Sequence, residues 1–397
     1  MLPFHFFLSA DHTPVVPESP LWQMPLPSSR AAAAGPPATS ASCDPAQVTC
    51  GAYFGAVQRA LGADGCAPLY QALTEMAGAP FEDMCIDSVD VQLLKHGQFY
   101  HPSRIVVRAA RDSSSLAFNL AFSSDGMELM PREISALKSL SEQEGDLAIP
   151  RVLAQGECIL ETAPGAERQG AWFLSPWCDG FHEFHLTHHT EEHLAVMVWD
   201  DATAPSLLKT DQVACLLEGA ARILTTAVNP HSLAHIFPWH HAAGDFVVHL
   251  DVSGHPCPRL ITVRDYQPLI SPADDADAVL DHLLYAQILL VVQAALRLRV
   301  DRLDGVGEIA LYPLSMVAPI CRGLLEGLAR MRRRWHLPPE LDSFLMDYLR
   351  ALSPGQLLEL NQTIQGGFAP GSPERAVIST DLETHVQALY DSLQKCL

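Results

Sequence analysis

The spacing of hydrophobic and polar residues changes near residue 86 and again near residue 180, which predicts a β-rich segment between two helical ones. Before the first change, apolar residues recur at helical spacing over residues 45–61 and 66–77. A typical helix start precedes the first of these segments, and glycine-containing turn residues separate the two. We therefore predict an N-terminal pair of helices within residues 44–85.

Between residues 86 and 178, short runs of β-branched and aromatic residues alternate with polar turn residues. This spacing is typical of an antiparallel meander. A stretch from Pro131 to about Leu140 has a modest apolar face and predicts one helix inside the meander. The expected order is β-β-β-α-β-β, with strands at residues 89–94, 104–110, 115–123, 151–157 and 171–176.

The remainder of the chain, residues 179–397, has mainly the apolar spacing of helices. One β-hairpin, at residues 246–251 and 259–263, is expected inside this region. The most apolar stretch, Leu283–Leu296, contains two glutamines and is too short to span a bilayer, so we predict a buried core helix there. Helices are predicted at residues 211–227, 274–298, 313–335, 339–351, 354–364 and 380–396.

Composition narrows the classes of function. The 397 residues are 48% hydrophobic and 18% charged, which indicates a globular protein. Only 25 Lys and Arg stand against 46 Asp and Glu, so the net charge is −21. Nucleic acids and anionic membranes bind clustered cations, so neither is an expected partner. Residues 1–43 are rich in Pro, Ala and Ser, and we predict a mostly disordered arm there.

The N-terminus and the cysteines indicate the cellular compartment. No Lys or Arg precedes the short apolar run at residues 1–8, so no secretory signal is expected. The ten cysteines include no C-x-x-C pair and are scattered through apolar stretches, which favours buried thiols over disulfides or zinc ligands. We therefore expect a cytoplasmic protein.

A β-rich lobe with one helix, followed by a helical lobe that contains a β-hairpin, is the element order of the protein-kinase fold. Over residues 86–300 the chain most resembles the small-molecule branch of that fold, the aminoglycoside and choline phosphotransferases. The resemblance implies an α+β, two-lobed fold, with a small antiparallel β lobe at residues 86–178 and a larger helical lobe at residues 179–397. It also implies a nucleotide-binding transferase that moves phosphate from ATP to a small-molecule substrate.

The resemblance assigns roles to residues of the smaller lobe. Glu133 lies where such kinases place the helix Glu that pairs with a strand Lys, and it would organise this lobe. Residues 173–180 resemble the hinge between the lobes. Trp177 and Asp179 in this segment would face the adenine of ATP.

The resemblance also assigns roles in the helical lobe. Residues 240–248 resemble the catalytic loop running into its strand, and His240 would orient or deprotonate the acceptor. Asp245 and Asp265 would hold Mg²⁺ through their carboxylate oxygens. The residues themselves leave a structural alternative open, in which Asp245 caps a turn and Asp265 pairs with its neighbour Arg264.

Two phosphate-binding features of kinases are missing from the sequence. The third predicted strand, Leu116–Phe122, contains no Lys, and the turn near Gly97 is not a glycine-rich phosphate loop. Charges that clamp the phosphates are a main source of catalysis in phosphoryl transfer. An alternative function is therefore a pseudokinase, a catalytically silent kinase-like module that binds a ligand or a partner.

A third alternative comes from a segment rich in His and Glu, residues 181–193. On a helix, its histidines at i and i+4 would share a metal ion. The same residues would equally suit an irregular surface segment. The metal-binding protein or metalloenzyme that this alternative predicts would use His182, His185, His189, His240 and His241.

Overall fold

The structure is a computed structural model in which the chain divides into two units. The first comprises Met1–Lys138 and Pro150–Asp179, and the second comprises Ser139–Ile149 and Gly180–Leu397. Both contain helices and strands, which confirms the mixed α and β content of the predicted fold class. The described residues are 2–8, 13–26, 48–78, 86–94, 99–109, 112–142, 147–163, 166–190, 193–200, 204–239, 244–271 and 279–396.

The first unit is built on a seven-stranded sheet in the order β2-β1-β3-β4-β5-β7-β6. Strand β1 is parallel to β3, and all other neighbours are antiparallel. Helix α1 (Cys50–Ala77) precedes β3, and helix α2 (Ser124–Ser141) connects β5 to β6. The strands are β1 (Phe4–Leu8), β2 (Thr13–Val15), β3 (Ile86–Leu93), β4 (His101–Ala109), β5 (Asp112–Ala121), β6 (Ala154–Ala163) and β7 (Ala166–Pro176).

One face of this sheet forms a hydrophobic core with α1. Alternate residues of the central strands are fully buried in that core, because successive side chains of a strand point to opposite faces. They include Val89, Val91, Ile105, Leu116 and Phe118. Helix α1 leaves helical geometry between its residues 63 and 66, at the turn residues that were expected to separate two helices.

The prediction of a disordered arm over residues 1–43 is wrong for β1 and β2. Phe6 is buried, and its ring stacks on Phe54 of α1 at a centroid distance of 5.0 Å. Phe4 and Leu8 also pack against this core, and β1 pairs with β3 in the sheet. Much of the Pro-, Ala- and Ser-rich composition belongs to residues 27–47, which lie outside the described residues.

The described residues of the second unit form a three-stranded sheet, three strand pairs and the remaining helices. The sheet has the order β10-β9-β8, and the antiparallel pairs are β11-β14, β12-β13 and β15-β16. The helices are α3 (Thr210–Thr226), α4 (Val279–Arg297), α5 (Val317–Arg334), α6 (Glu340–Ala351), α7 (Pro354–Gly366) and α8 (Pro373–Cys396). The strands are β8 (Glu183–His188), β9 (Leu194–Trp199), β10 (Ser206–Leu208), β11 (Ala234–Ile236), β12 (Phe246–Leu250), β13 (Pro256–Leu260), β14 (Tyr266–Pro268), β15 (Val300–Arg302) and β16 (Ile309–Leu311).

Helix α4 contains the apolar stretch that was predicted to be a core helix. It packs against α3, α5, α6 and α7, and Gln287 and Gln293 are buried within it. Its 19 residues lie within the helix predicted at residues 274–298, and its most apolar window has a mean hydropathy of 1.7. Within the described part of the chain it is the one helix that could cross a membrane by length and composition, but 61% of its apolar window is buried in the protein.

Candidate functional site

Two groups of charged side chains meet the turn formed by Gly244 and Asp245, directly before β12. Arg264 contacts this turn from the segment that follows β13, and Glu183 contacts it from β8. All of these residues belong to the second unit. We therefore take the Gly244–Asp245 turn as the centre of the candidate site.

The first group is an ion pair between Asp245 and Arg264. The Asp245 side chain is 1% exposed, and Nη2 of Arg264 donates a hydrogen bond of 2.7 Å to its Oδ1. The antiparallel pairing of β12 with β13 returns the chain to the start of β12, and the Ile261 N–H donates to the Asp245 carbonyl at 2.8 Å. The hairpin thus places Arg264 beside a carboxylate far from it in sequence.

This pairing corrects the structural alternative in which Arg264 would bind Asp265. The Asp265 carboxylate instead accepts the backbone N–H of Tyr266 at 2.8 Å. Its carbonyl accepts the Phe237 N–H at 3.2 Å, beside the pairing of β11 with β14. Asp265 is therefore fixed at the start of β14 by backbone contacts.

The arrangement does not fit a magnesium ion on Asp245. Magnesium requires carboxylate oxygens that are open to the metal and its waters. The Arg264 guanidinium already donates to Oδ1 of Asp245, and its positive charge would repel a dication bound to the same carboxylate. Among the residues with described positions, no group of three or more His, Cys, Asp and Glu side chains is placed to hold a metal ion.

The second group is a line of three titratable side chains, Asp301, His185 and Glu183. Asp301 is fully buried, and its Oδ1 lies 3.4 Å from Nδ1 of His185. On the other side of the imidazole, Nε2 lies 3.9 Å from Oε2 of Glu183, which is 29% exposed. The line therefore leads from a buried carboxylate to a partly exposed one at the Gly244–Asp245 turn.

Two glycines with positive φ allow this line to pack closely. At Gly305, with φ of 75°, an added Cβ would lie 2.8 Å from Nε2 of His185. At Gly244, with φ of 69°, an added Cβ would lie 2.6 Å from Oε1 of Glu183. A side chain at either position would displace the group it meets, so both glycines are part of the site's geometry.

The charges around His185 favour its protonated form. Burial disfavours the imidazolium, but hydrogen bonds and charge from Asp301 and Glu183 outweigh burial and raise the pKa of His185 to about 9. A folded-state pKa above the unfolded value of 6.5 stabilises the protein fully below about pH 6.5. That stabilisation is lost as the pH rises through about 9.

We therefore expect the deprotonation of His185 to lower the unfolding free energy by up to about 3 kcal/mol between about pH 7 and pH 10. Urea unfolding at several pH values measures it, with His185→Asn as the comparison. The variant should have a flatter pH dependence than the wild type over this range. Equal slopes in the two proteins would contradict a charged His185.

Residues Glu183–His188 of the histidine-rich segment form strand β8, which corrects the helical arrangement assumed for a metal site. His182 lies just before β8, in an isolated bridge with Val248, and His185 lies within the strand. Nδ1 of His182 lies 3.7 Å from Oδ1 of Asp200, whereas His185 faces Asp301. His240 and His241 lie outside the described residues.

The site residues predicted for the smaller lobe lie in the first unit. Glu133 is buried in α2, with 1% exposure. Trp177 and Asp179 follow β7 and both contact Arg104 of β4, whose guanidinium lies 5.7 Å from the Trp177 ring centroid and forms an ion pair with Asp179. The structure thus brings Trp177 and Asp179 together around an arginine that the sequence did not single out.

Several groups of the candidate site were not predicted from the sequence. The sequence offers Arg264 only as a partner of its neighbour Asp265, and it assigns no role to Glu183 or Asp301. The nearest signal was the unusual density of His and Glu around residue 183. No protein-family model and no curated protein matches the chain, so no relative supplies an assignment for these residues.

Proposed function

We propose that this chain is a kinase-like module that binds a small molecule or a protein partner and does not carry out magnesium-dependent phosphotransfer. The observation that carries this proposal is the buried ion pair between Asp245 and Arg264. In the protein-kinase resemblance, Asp245 stands where a metal ligand is expected. Here its carboxylate is bound by a guanidinium, which supplies the positive charge that a metal would bring.

The kinase-like part of the proposal is supported by the order of the elements. Strands β3 to β7, with α2 between β5 and β6, follow the order expected of the smaller lobe. In the second unit, the hairpin β12-β13 lies between helix α3 and the buried helix α4, as expected of a helical lobe with an inserted hairpin.

The loss of phosphotransfer is supported by a second feature, the composition of β5. This strand occupies the place of the kinase strand that carries the phosphate-binding Lys, and it contains none. Without that cation, the negative charge that develops on the transferred phosphate lacks one of its usual partners. The Asp245–Arg264 ion pair leaves no place for the metal, and β5 lacks the lysine. Phosphotransfer needs the positive charge of both.

A thermal-shift titration with ATP, with and without Mg²⁺, tests the proposal on the wild type and on Asp265→Ala. A ligand at about a hundred times its Kd adds about 2.7 kcal/mol to the stability of the native state. We expect any rise in melting temperature to be the same with and without Mg²⁺, at matched ionic strength. A Mg²⁺-dependent rise that Asp265→Ala abolishes would refute the proposal.

An ATP-dependent phosphotransferase acting on a small molecule is the second candidate. It is favoured by the same order of elements and by the buried Glu133, at the position of the kinase helix Glu. This function requires Arg264 to release Asp245 when Mg²⁺ and ATP bind. The Mg²⁺-dependent rise described above is the result that would support it.

A further inference from the structure

Arg297, the last residue of α4, lies against two phenylalanine rings. Its Cζ is 4.8 Å from the ring centroid of Phe237 and 4.1 Å from that of Phe368. Phe237 follows β11, and Phe368 lies between α7 and α8. The rings hold the planar guanidinium in place through cation–π contacts, which reduces the entropy that it would lose on binding a ligand.

No acidic side chain compensates this guanidinium in the part of the chain that the structure describes. Nearby arginines are paired: Arg299 binds Asp381 at 2.6 Å, and Arg302 binds Glu374 at 2.9 Å. Arg297 has no ion pair or hydrogen bond among the described residues, and its Nε is buried without an acceptor. Burial alone lowers the pKa of Arg297 to about 10.

Exposed arginines such as Arg168 and Arg259 also form no ion pair among the described residues, but Arg297 differs from them in being partly buried. The position at the C-terminus of α4 and the two rings favour a cation. Neither the helix terminus nor the rings supply a hydrogen-bond acceptor for the buried Nε–H of Arg297. A buried donor without an acceptor destabilises the folded protein. An oxyanion would satisfy that donor and neutralise the charge together.

We propose that Arg297 binds the phosphate group of a small-molecule ligand. A guanidinium presents several N–H donors in a fixed fork that matches the oxygens of phosphate. A phosphate dianion also neutralises the charge of a partly buried guanidinium more fully than a carboxylate, which carries a single negative charge. This site does not depend on the kinase-like function, because Asp245 and Asp265 play no part in it.

Arginine modification of the wild-type protein, with inorganic phosphate as the probe, tests the site without any variant. Phenylglyoxal modifies accessible arginines, and peptide mass spectrometry reports the extent at each one. At a phosphate concentration about ten times its Kd, Arg297 should react about tenfold more slowly. The exposed Arg259, which stacks on Phe181 at 4.7 Å, should be unprotected. Equal protection of the two arginines, or protection of neither, would overturn the proposal.

Variants give a second, independent readout. Phosphate should raise the melting temperature of the wild type and of Arg259→Gln at constant ionic strength, and Arg297→Gln should lose this response. Arg297→Lys keeps the charge without the fork, so its response should be smaller than that of the wild type. Acetate at the same concentration should give a smaller rise than phosphate. A phosphate response that survives in Arg297→Gln would show binding elsewhere and overturn the proposal.

Discussion

Replacing Asp301 with asparagine is expected to destabilise the second unit by about 3–5 kcal/mol, the usual cost of removing one partner from a buried ion pair. The Asp301 carboxylate accepts the N–H groups of Leu186 at 2.9 Å and Arg302 at 2.8 Å. It also accepts the Tyr312 hydroxyl at 3.3 Å and lies beside the His185 imidazole. An asparagine would turn an NH₂ group toward one of these donors and leave His185 without its buried counter-charge.

Urea unfolding of Asp301→Asn and Asp304→Asn measures this effect. Asp304 lies in the same segment but is exposed, so its substitution should change the unfolding free energy little. NMR titration gives a second readout, because the pKa of His185 should fall when Asp301 is neutral. Equal stability of the two variants would show that Asp301 does not anchor the charged line leading to Glu183.

Replacing Arg264 with methionine should have an effect of similar size. The variant keeps much of the side-chain volume but leaves the Asp245 carboxylate, 1% exposed, without its cation. We expect a loss of about 3–5 kcal/mol in unfolding free energy. Urea unfolding measures it, with Arg259→Met on the exposed side of β13 as the matched control. A variant as stable as this control would mean that the ion pair with Asp245 contributes nothing.

The strands of the first unit could be predicted because alternation is a local signal. Residues such as Val89 and Val91 alternate with polar ones, and the core against α1 follows that period. Strand β1 is not predicted because the Pro, Ala and Ser content of residues 1–43 obscures its short apolar run. Strand β8 carries the same alternation at its buried Phe184 and Leu186, but its dense histidines fit a helical metal site or an irregular surface segment equally well.

The candidate site could be predicted only in part, because its contacts join residues that are far apart in sequence. The kinase resemblance singles out Asp245, but its partner Arg264, 19 residues away, depends on the register of the hairpin. His185 and Asp301 are separated by 116 residues, and only the packing of β8 against the segment after α4 brings them together. Local patterns carry no information about pairs at such distances.

The coupling free energy between Asp245 and Arg264 tests the central claim most directly, namely that this carboxylate is committed to an arginine and not to a metal. A double-mutant cycle with Asp245→Asn and Arg264→Met, measured by urea unfolding, gives that value. We expect a coupling of about 1–3 kcal/mol that is unchanged by Mg²⁺ and ATP. Effects that add within about 0.5 kcal/mol, or a coupling that disappears when Mg²⁺ and ATP are added, would contradict the claim.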